Sequence, residues 1–145
     1  MKIRSFLAIT LLVAAVSCNK SKFQTKPQIS IESINSLIPA GGGLDAKLKF
    51  TQKNGSLSGG TFTAIRNRLN QQPLPPGTGS TDTLVNNIPS FPDKNQGEFE
   101  FTLDYSYLHE SDQQNDTFLF KFAVVDRNGN KSDTISSSKV VVLFQ

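Results

Sequence analysis

The chain of 145 residues has no tryptophan, and it has one cysteine, one histidine and one methionine. A single cysteine excludes an internal disulfide and any metal site built from several thiolates. A single histidine excludes histidine-rich metal centres. Charge of one sign is also missing, with 15 Lys+Arg against 12 Asp+Glu. No apolar run approaches the roughly 20 residues that a membrane-spanning helix needs. The longest covers residues 6–16 and is broken only by Thr10. The length suits one domain able to bury a core without covalent staples.

What is present begins with Lys2 and Arg4, ahead of that apolar run. A basic start, a short apolar stretch and small residues before a break are the pattern of a secretory signal peptide. The break reads Ala15-Val16-Ser17-Cys18 and resembles the bacterial lipobox. The resemblance implies cleavage between Ser17 and Cys18, a thioether-linked diacylglycerol on Cys18, and an acyl chain on its amine. The partner so implied is a membrane, entered through the lipid on Cys18. Each buried CH₂ contributes about 0.8 kcal/mol, so several chains anchor stably. Asn19 stands where aspartate would mark inner-membrane retention, and Lys20 and Lys22 stand where acids would mark surface display. The resemblance therefore implies an outer-membrane lipoprotein facing the periplasm, with display on the cell surface as the alternative.

The expected division is a signal peptide over 1–17, a lipidated cysteine and tether over 18–27, and a folded domain over 28–145. Losing Lys2 and Arg4 with the leader takes the 15 basic residues to 13, against the same 12 acids. The precursor's isoelectric point near 9.1 is thus no sign of a clustered basic face, and no nucleic-acid partner is expected.

Beyond Pro27 the chain reads as strands. Ile29 and Ile31 alternate with polar residues; Leu44, Ala46, Leu48 and Phe50 alternate with Asp45, Lys47, Lys49 and Thr51. This period of two marks strands with one dry and one wet face. Residues 62–69 form a third strand whose apolar residues change phase between Ala64 and Ile65, which a bulge or burial on both sides would explain. Residues 70–81 hold Pro73, Pro75, Pro76, Gly77 and Gly79 and read as a long loop. Short strand 83–88 follows, then 98–105 and 118–125, with Phe101 and Phe120 expected inside and Glu100 and Lys121 outside. Asn128-Gly129 is a hairpin turn signal. The final run 139–144 is apolar on both phases, so it must be covered, and pairing with 118–125 is expected.

These elements predict an all-β, antiparallel sandwich of about seven strands. The segment Val124-Val125-Asp126-Arg127-Asn128-Gly129-Asn130-Lys131-Ser132 resembles the late hairpin of bacterial immunoglobulin-like and fibronectin-III-like domains. The resemblance implies an immunoglobulin-like sandwich.

Several constellations invite chemistry. Asp126, Asn128 and Asn130, with Asp133 nearby, have the alternate spacing of oxygen ligands in a calcium loop, but Lys131 and Ser137 occupy the sixth and twelfth positions of an EF-hand frame. Glu98 and Glu100 project from one strand face about 7 Å apart, a separation at which paired carboxylates hydrolyse glycosides; a solvated face is the simpler expectation. Residues 93–116 hold seven acids against Lys94 alone, which would make one end electronegative; a solvated surface is again the simpler expectation. His109 lacks a nucleophile motif and reads as a surface histidine. Asp82-Thr83-Leu84 and Asp133-Thr134-Ile135 resemble the D-[ST]-apolar acceptor of a bacterial O-glycosylation system, which would make Thr83 and Thr134 the acceptors. No catalytic residue, metal ligand or cofactor is assigned. The expectation is a binding or structural module rather than an enzyme, with loops 70–81 and 106–116 contacting an envelope protein or a glycan. The alternative is a calcium-dependent ligand binder or a carbohydrate-active protein.

Overall fold

The computed structural model describes residues 25–55, 57–80 and 82–144. Eight strands run in chain order: β1 (Gln28–Ile34), β2 (Leu37–Ile38), β3 (Gly43–Thr51), β4 (Thr61–Arg68), β5 (Thr83–Asn87), β6 (Gln96–Asp104), β7 (Asp116–Val125) and β8 (Ile135–Val142). One short helix, α1 (Tyr105–Leu108), follows β6. The strands form a three-stranded sheet, β1-β3-β6, and a five-stranded sheet, β2-β8-β7-β4-β5. Lettered A, A′, B, C, C′, E, F and G in chain order, these are the A-B-E and A′-G-F-C-C′ sheets of an immunoglobulin-like sandwich.

The alternating residues of β3 and β6 meet those of β4 and β7 between the sheets. Leu44, Leu48, Phe118, Phe120, Phe122 and Val124 are wholly buried. The Phe62 ring of β4 lies 5.2 Å from both Phe99 and Phe101 of β6, across the sandwich. Phe122 closes the group at 5.7 Å from Phe62 and 5.8 Å from Phe101. Phe101 is 6% exposed, while Glu100 is exposed and Lys121 half-buried on the outer side, as the strand phases require. Gly60 enters β4 where an added Cβ would stand 2.3 Å from the Val125 carbonyl oxygen, so a larger residue there would push β4 away from β7.

Three expectations change. The sandwich is not wholly antiparallel, because β2 runs parallel to β8, pairing Leu37 with Val141 and Ile38 with Val142. That pairing fills one edge of β8, while β7 fills the other; Val140 and Val142 are buried between the sheets and Val141, on the opposite phase, is half-buried. The final run expected over 139–144 is mostly the second half of a longer strand, β8, which begins at Ile135 and whose register against β7 shifts between Leu119 and Lys121. At the shift the Phe120 amide donates to the Ser137 hydroxyl at 3.0 Å. No bulge interrupts β4, which pairs with β7 without a break from Thr61 to Arg68. Its phase never changes. Phe62 and Ala64 point inward, Arg66 continues on the same side, and Ile65 faces out.

Candidate functional site

The end of the sandwich where β4 finishes carries the most unusual chemistry. Arg66 is 2% exposed. Its guanidinium donates to the Tyr107 carbonyl, to the Ser80 carbonyl at 3.0 Å, and to the Glu110 carboxylate, itself only 4% exposed. Asp82 lies 3.4 Å away at the surface. The guanidinium carbon sits 4.7 Å from the Tyr107 ring centre and 4.9 Å from that of Phe118, within cation–π range. Burial pushes the Tyr107 hydroxyl above its ordinary pKa.

Arg68, two residues on, repeats the arrangement. Its Nε donates to Asp116 at 2.8 Å, and its Nη1 donates to the Gln72 carbonyl at 2.8 Å. Asp116 is fully buried, and its second oxygen collects the amides of Glu110 at 2.7 Å and Ser111 at 2.9 Å. Glu110 in turn accepts the Ser80 amide at 2.9 Å. Two arginines of one strand thus fasten two loops to each other: the proline-rich 69–82 connection and the 105–115 connection that contains α1. Arg66 Nε and Arg68 Nη2 are buried and have no hydrogen-bond partner among the described residues. Between the loops lies a cleft of about 290 Å³, with Pro73, Leu74 and Pro75 on one wall and Glu110, Ser111 and Gln113 on the other. Glu110 on its wall and Asp116 behind it accept guanidinium and amide hydrogens, while Asp112, also on the wall, is exposed and faces His109. The buried arginine network holds the shape of this end.

This network was missed in the sequence, although a signal exists. The inward phase of β4 runs Phe62, Ala64, Arg66, Arg68, so an apolar stripe passes without change of phase into two cations. Such a stripe predicts buried arginines that need acids, and Glu110 and Asp116 were counted instead among the acids of an electronegative end. Four of those seven acids have Lys or Arg partners. Asp93 pairs with Arg127 at 2.7 Å, Glu98 with Lys47 at 3.0 Å, and Glu110 and Asp116 with the arginines.

The remaining candidates fall elsewhere. Glu98 and Glu100 lie on the outer face of the three-stranded sheet, where Glu32 and Glu98 alternate with Lys47 and Lys49 in a lattice of ion pairs. The hydrogen bond from Lys47 holds the Glu98 carboxyl below its usual range, aided by the charges of Lys47 and Lys49. A carboxyl so held is a poor proton donor at neutral pH. Asp126 is 3% exposed and folds its own turn. One oxygen accepts the amides of Asn128 at 2.9 Å and Asn130 at 2.8 Å; the other accepts the side-chain amides of Gln52 at 2.5 Å and Asn130 at 2.9 Å. Asp133 points away and pairs with Lys26 at 2.5 Å. Among the described residues no three His, Cys, Asp or Glu side chains come together as a metal site. His109 stacks on Tyr105 at 5.0 Å and faces Asp112 at 3.1 Å. Thr83 and Thr134 are both exposed. Cys18 lies outside the described residues. Among those described, no helix is long and apolar enough to cross a membrane.

No protein-family model matches the chain, and no curated protein matches it. Solved structures resemble it at low identity. A β-glucosidase from Listeria innocua bound to gluconolactone superposes with a TM-score of 0.48 at 9% identity, covering 81% of this chain and 16% of that one. The chain therefore spans only a small part of the glucosidase. The cohesin module of a family 33 glycoside hydrolase from Clostridium perfringens gives a TM-score of 0.42 at 12% identity, covering 84% of this chain and 100% of the module. The sandwich assignment rests on the sheet order and register described above.

Proposed function

We propose that this chain is a lipid-anchored, non-catalytic binding module of the cell envelope, held to the outer membrane through Cys18 and making its contacts through the cleft between loops 69–82 and 105–115. The observation that carries this reading is the buried fastening of those loops. A proline- and glycine-rich connection has little order of its own, and fixing it before a partner arrives removes an entropic cost from binding. Loops on a rigid scaffold are the usual place for recognition. The lipobox-like Ala15-Val16-Ser17-Cys18 supplies the anchor. A protein or glycan of the envelope is the partner class. The calcium-dependent alternative is disfavoured because a cation at Asp126 would displace the four amide hydrogens that its carboxylate accepts.

One experiment in intact cells tests both halves. The wild type and Cys18→Ser are grown with a labelled fatty acid, and each carries a photoreactive side chain either at Gln113, exposed on the cleft wall, or at Glu100, exposed on the ion-paired face. The reading expects label in the wild type only, and a discrete cross-linked product from position 113 only. Equal label in both chains removes the anchor; equal cross-linking from positions 113 and 100 removes the cleft.

A further inference from the structure

We propose that β5 is a dimerisation edge, pairing antiparallel with β5 of a second copy of this chain about a two-fold axis at Val85. Among the described residues the sandwich has four edge strands: β1 and β6 in one sheet, β2 and β5 in the other. Edge strands expose unpaired backbone groups, and folds usually blunt them. β1 shifts register between Ile31 and Ser33, with the charge of Glu32 at the break. β6 carries Glu98, Glu100 and Asp104, which would oppose like charges across a self-pairing. β2 is only two residues long. β5 has none of these defences. Thr83-Leu84-Val85-Asn86-Asn87 contains no charge and no proline, and its register against β4 is unbroken.

The phase of β5 shows which groups are free. Arg66 N–H donates to the Asp82 carbonyl at 2.7 Å, and Ile88 N–H donates to the Gly60 carbonyl at 2.8 Å. In an antiparallel pair the residues that exchange hydrogen bonds alternate with those that do not. Positions 82, 84, 86 and 88 therefore face β4, and the amides and carbonyls of Thr83, Val85 and Asn87 face outward. Among the described residues no hydrogen bond reaches those outward groups from elsewhere in the chain.

This row is self-complementary. A two-fold axis at Val85 sets Val85 against its mate and Thr83 against Asn87 of the second copy, so the outward donors and acceptors of both strands are used. Such an interface is isologous and closes on itself. The five-stranded sheet becomes continuous across the pair. The Val85 side chain, 62% exposed in the single chain, gains an apolar neighbour, and no like charges meet within the paired strands. A five-residue strand pair is a small contact, so the test traps it rather than weighing it.

Directly opposed residues that exchange hydrogen bonds have Cα atoms about 5.5 Å apart, within the range a disulfide spans. The full chain with Val85→Cys, in its native membranes under mild oxidation, is expected to shift from monomer to a disulfide-linked dimer whose linked peptide maps to 85–85. Thr83→Cys alone should stay monomeric, because its two-fold mate lies about 13 Å away along the strands; Thr83→Cys with Asn87→Cys should link 83 to 87. Leu37→Cys, equally exposed on another strand, should stay monomeric. Val85→Lys in the Thr83→Cys/Asn87→Cys chain should abolish the dimer by opposing two cations. Dimer from Val85→Cys no greater than from Leu37→Cys, linkage independent of register, or linkage of position 85 to a different protein would each overturn the proposal.

Discussion

Replacing Arg66 by methionine tests whether the loop fastening matters energetically. The substitution keeps length and apolar volume but removes the cation. Glu110, whose side chain is 4% exposed, then keeps, among the described residues, the Ser80 amide at 2.9 Å and a distant Arg68 Nε at 3.8 Å. The carbonyls of Tyr107 and Ser80 each lose a donor. Removing one partner of a buried ion pair costs about 3–5 kcal/mol, because the other charge stays buried and unpaired. Against a typical domain stability of about 5–15 kcal/mol, that is a large fraction. The double variant Arg66→Met/Glu110→Gln removes both charges and leaves an amide carbonyl to accept from Ser80. It should recover part of the loss, with a coupling on the order of 2 kcal/mol. The chain has no tryptophan, so urea unfolding is followed by far-ultraviolet circular dichroism. The reasoning is refuted if Arg66→Met unfolds within about 1 kcal/mol of the wild type, or if the two substitutions add to within about 0.5 kcal/mol.

Phe120→Ala, at a wholly buried position, should destabilise by about 3–5 kcal/mol in the same assay, whereas Glu100→Ala, on the outer face, should stay within about 0.5 kcal/mol; equal losses would mean the strand phases are wrong. The ion-pair lattice should show a pH signature. Glu98 has its folded-state pKa lowered, so its contribution is present above the ordinary value of 4.5 and is lost as pH falls through the lowered value. Lys47 and Lys49 are raised, chiefly by hydrogen bonds to Glu98 and Glu32, so theirs is present below 10.5 and lost as pH rises through the raised values. The melting-temperature difference between wild type and Glu98→Gln should therefore be flat from about pH 6 to 9 and close in acid. It should also shrink in about 1 M salt. A difference that persists unchanged to about pH 3 would contradict it.

The sheets were readable where one face is wet. β3 and β6 alternate Leu, Ala or Phe with Lys, Glu or Thr, and their pairing runs unbroken from Gly43–Asp104 to Thr51–Gln96. The pairing of β8 with β7 was readable because an apolar run must be covered. What escaped were features set by distant partners. β2 is two residues long and exists because Ser36 and Ile38 carbonyls accept the Val141 and Leu143 amides, a relation no local pattern carries. The inward Arg66 was misread as a change of phase, since burial of a guanidinium depends on Glu110, 44 residues away. Leu57, fully buried within a polar connection, has no periodic neighbours to announce it.

Both ends of the sandwich use a buried carboxylate to gather backbone amides, but the connections they hold differ. At one end Asp116 takes two amides and a guanidinium. At the other Asp126 takes two amides and the neutral side chains of Gln52 and Asn130. The bonds at both carboxylates are charge-assisted, since the acceptor is ionised. The Asp126 end spans a tight hairpin, with Gly129 at φ +84° making the turn, so short-range bonds suffice. The Asp116 end must hold a loop of breakers that contributes no sheet pairing, and there the fold places two arginines inside. The two buried arginines stand where the longer, irregular connections must be held, which is why the proposed contact cleft is placed at that end and not at the Asp126 turn.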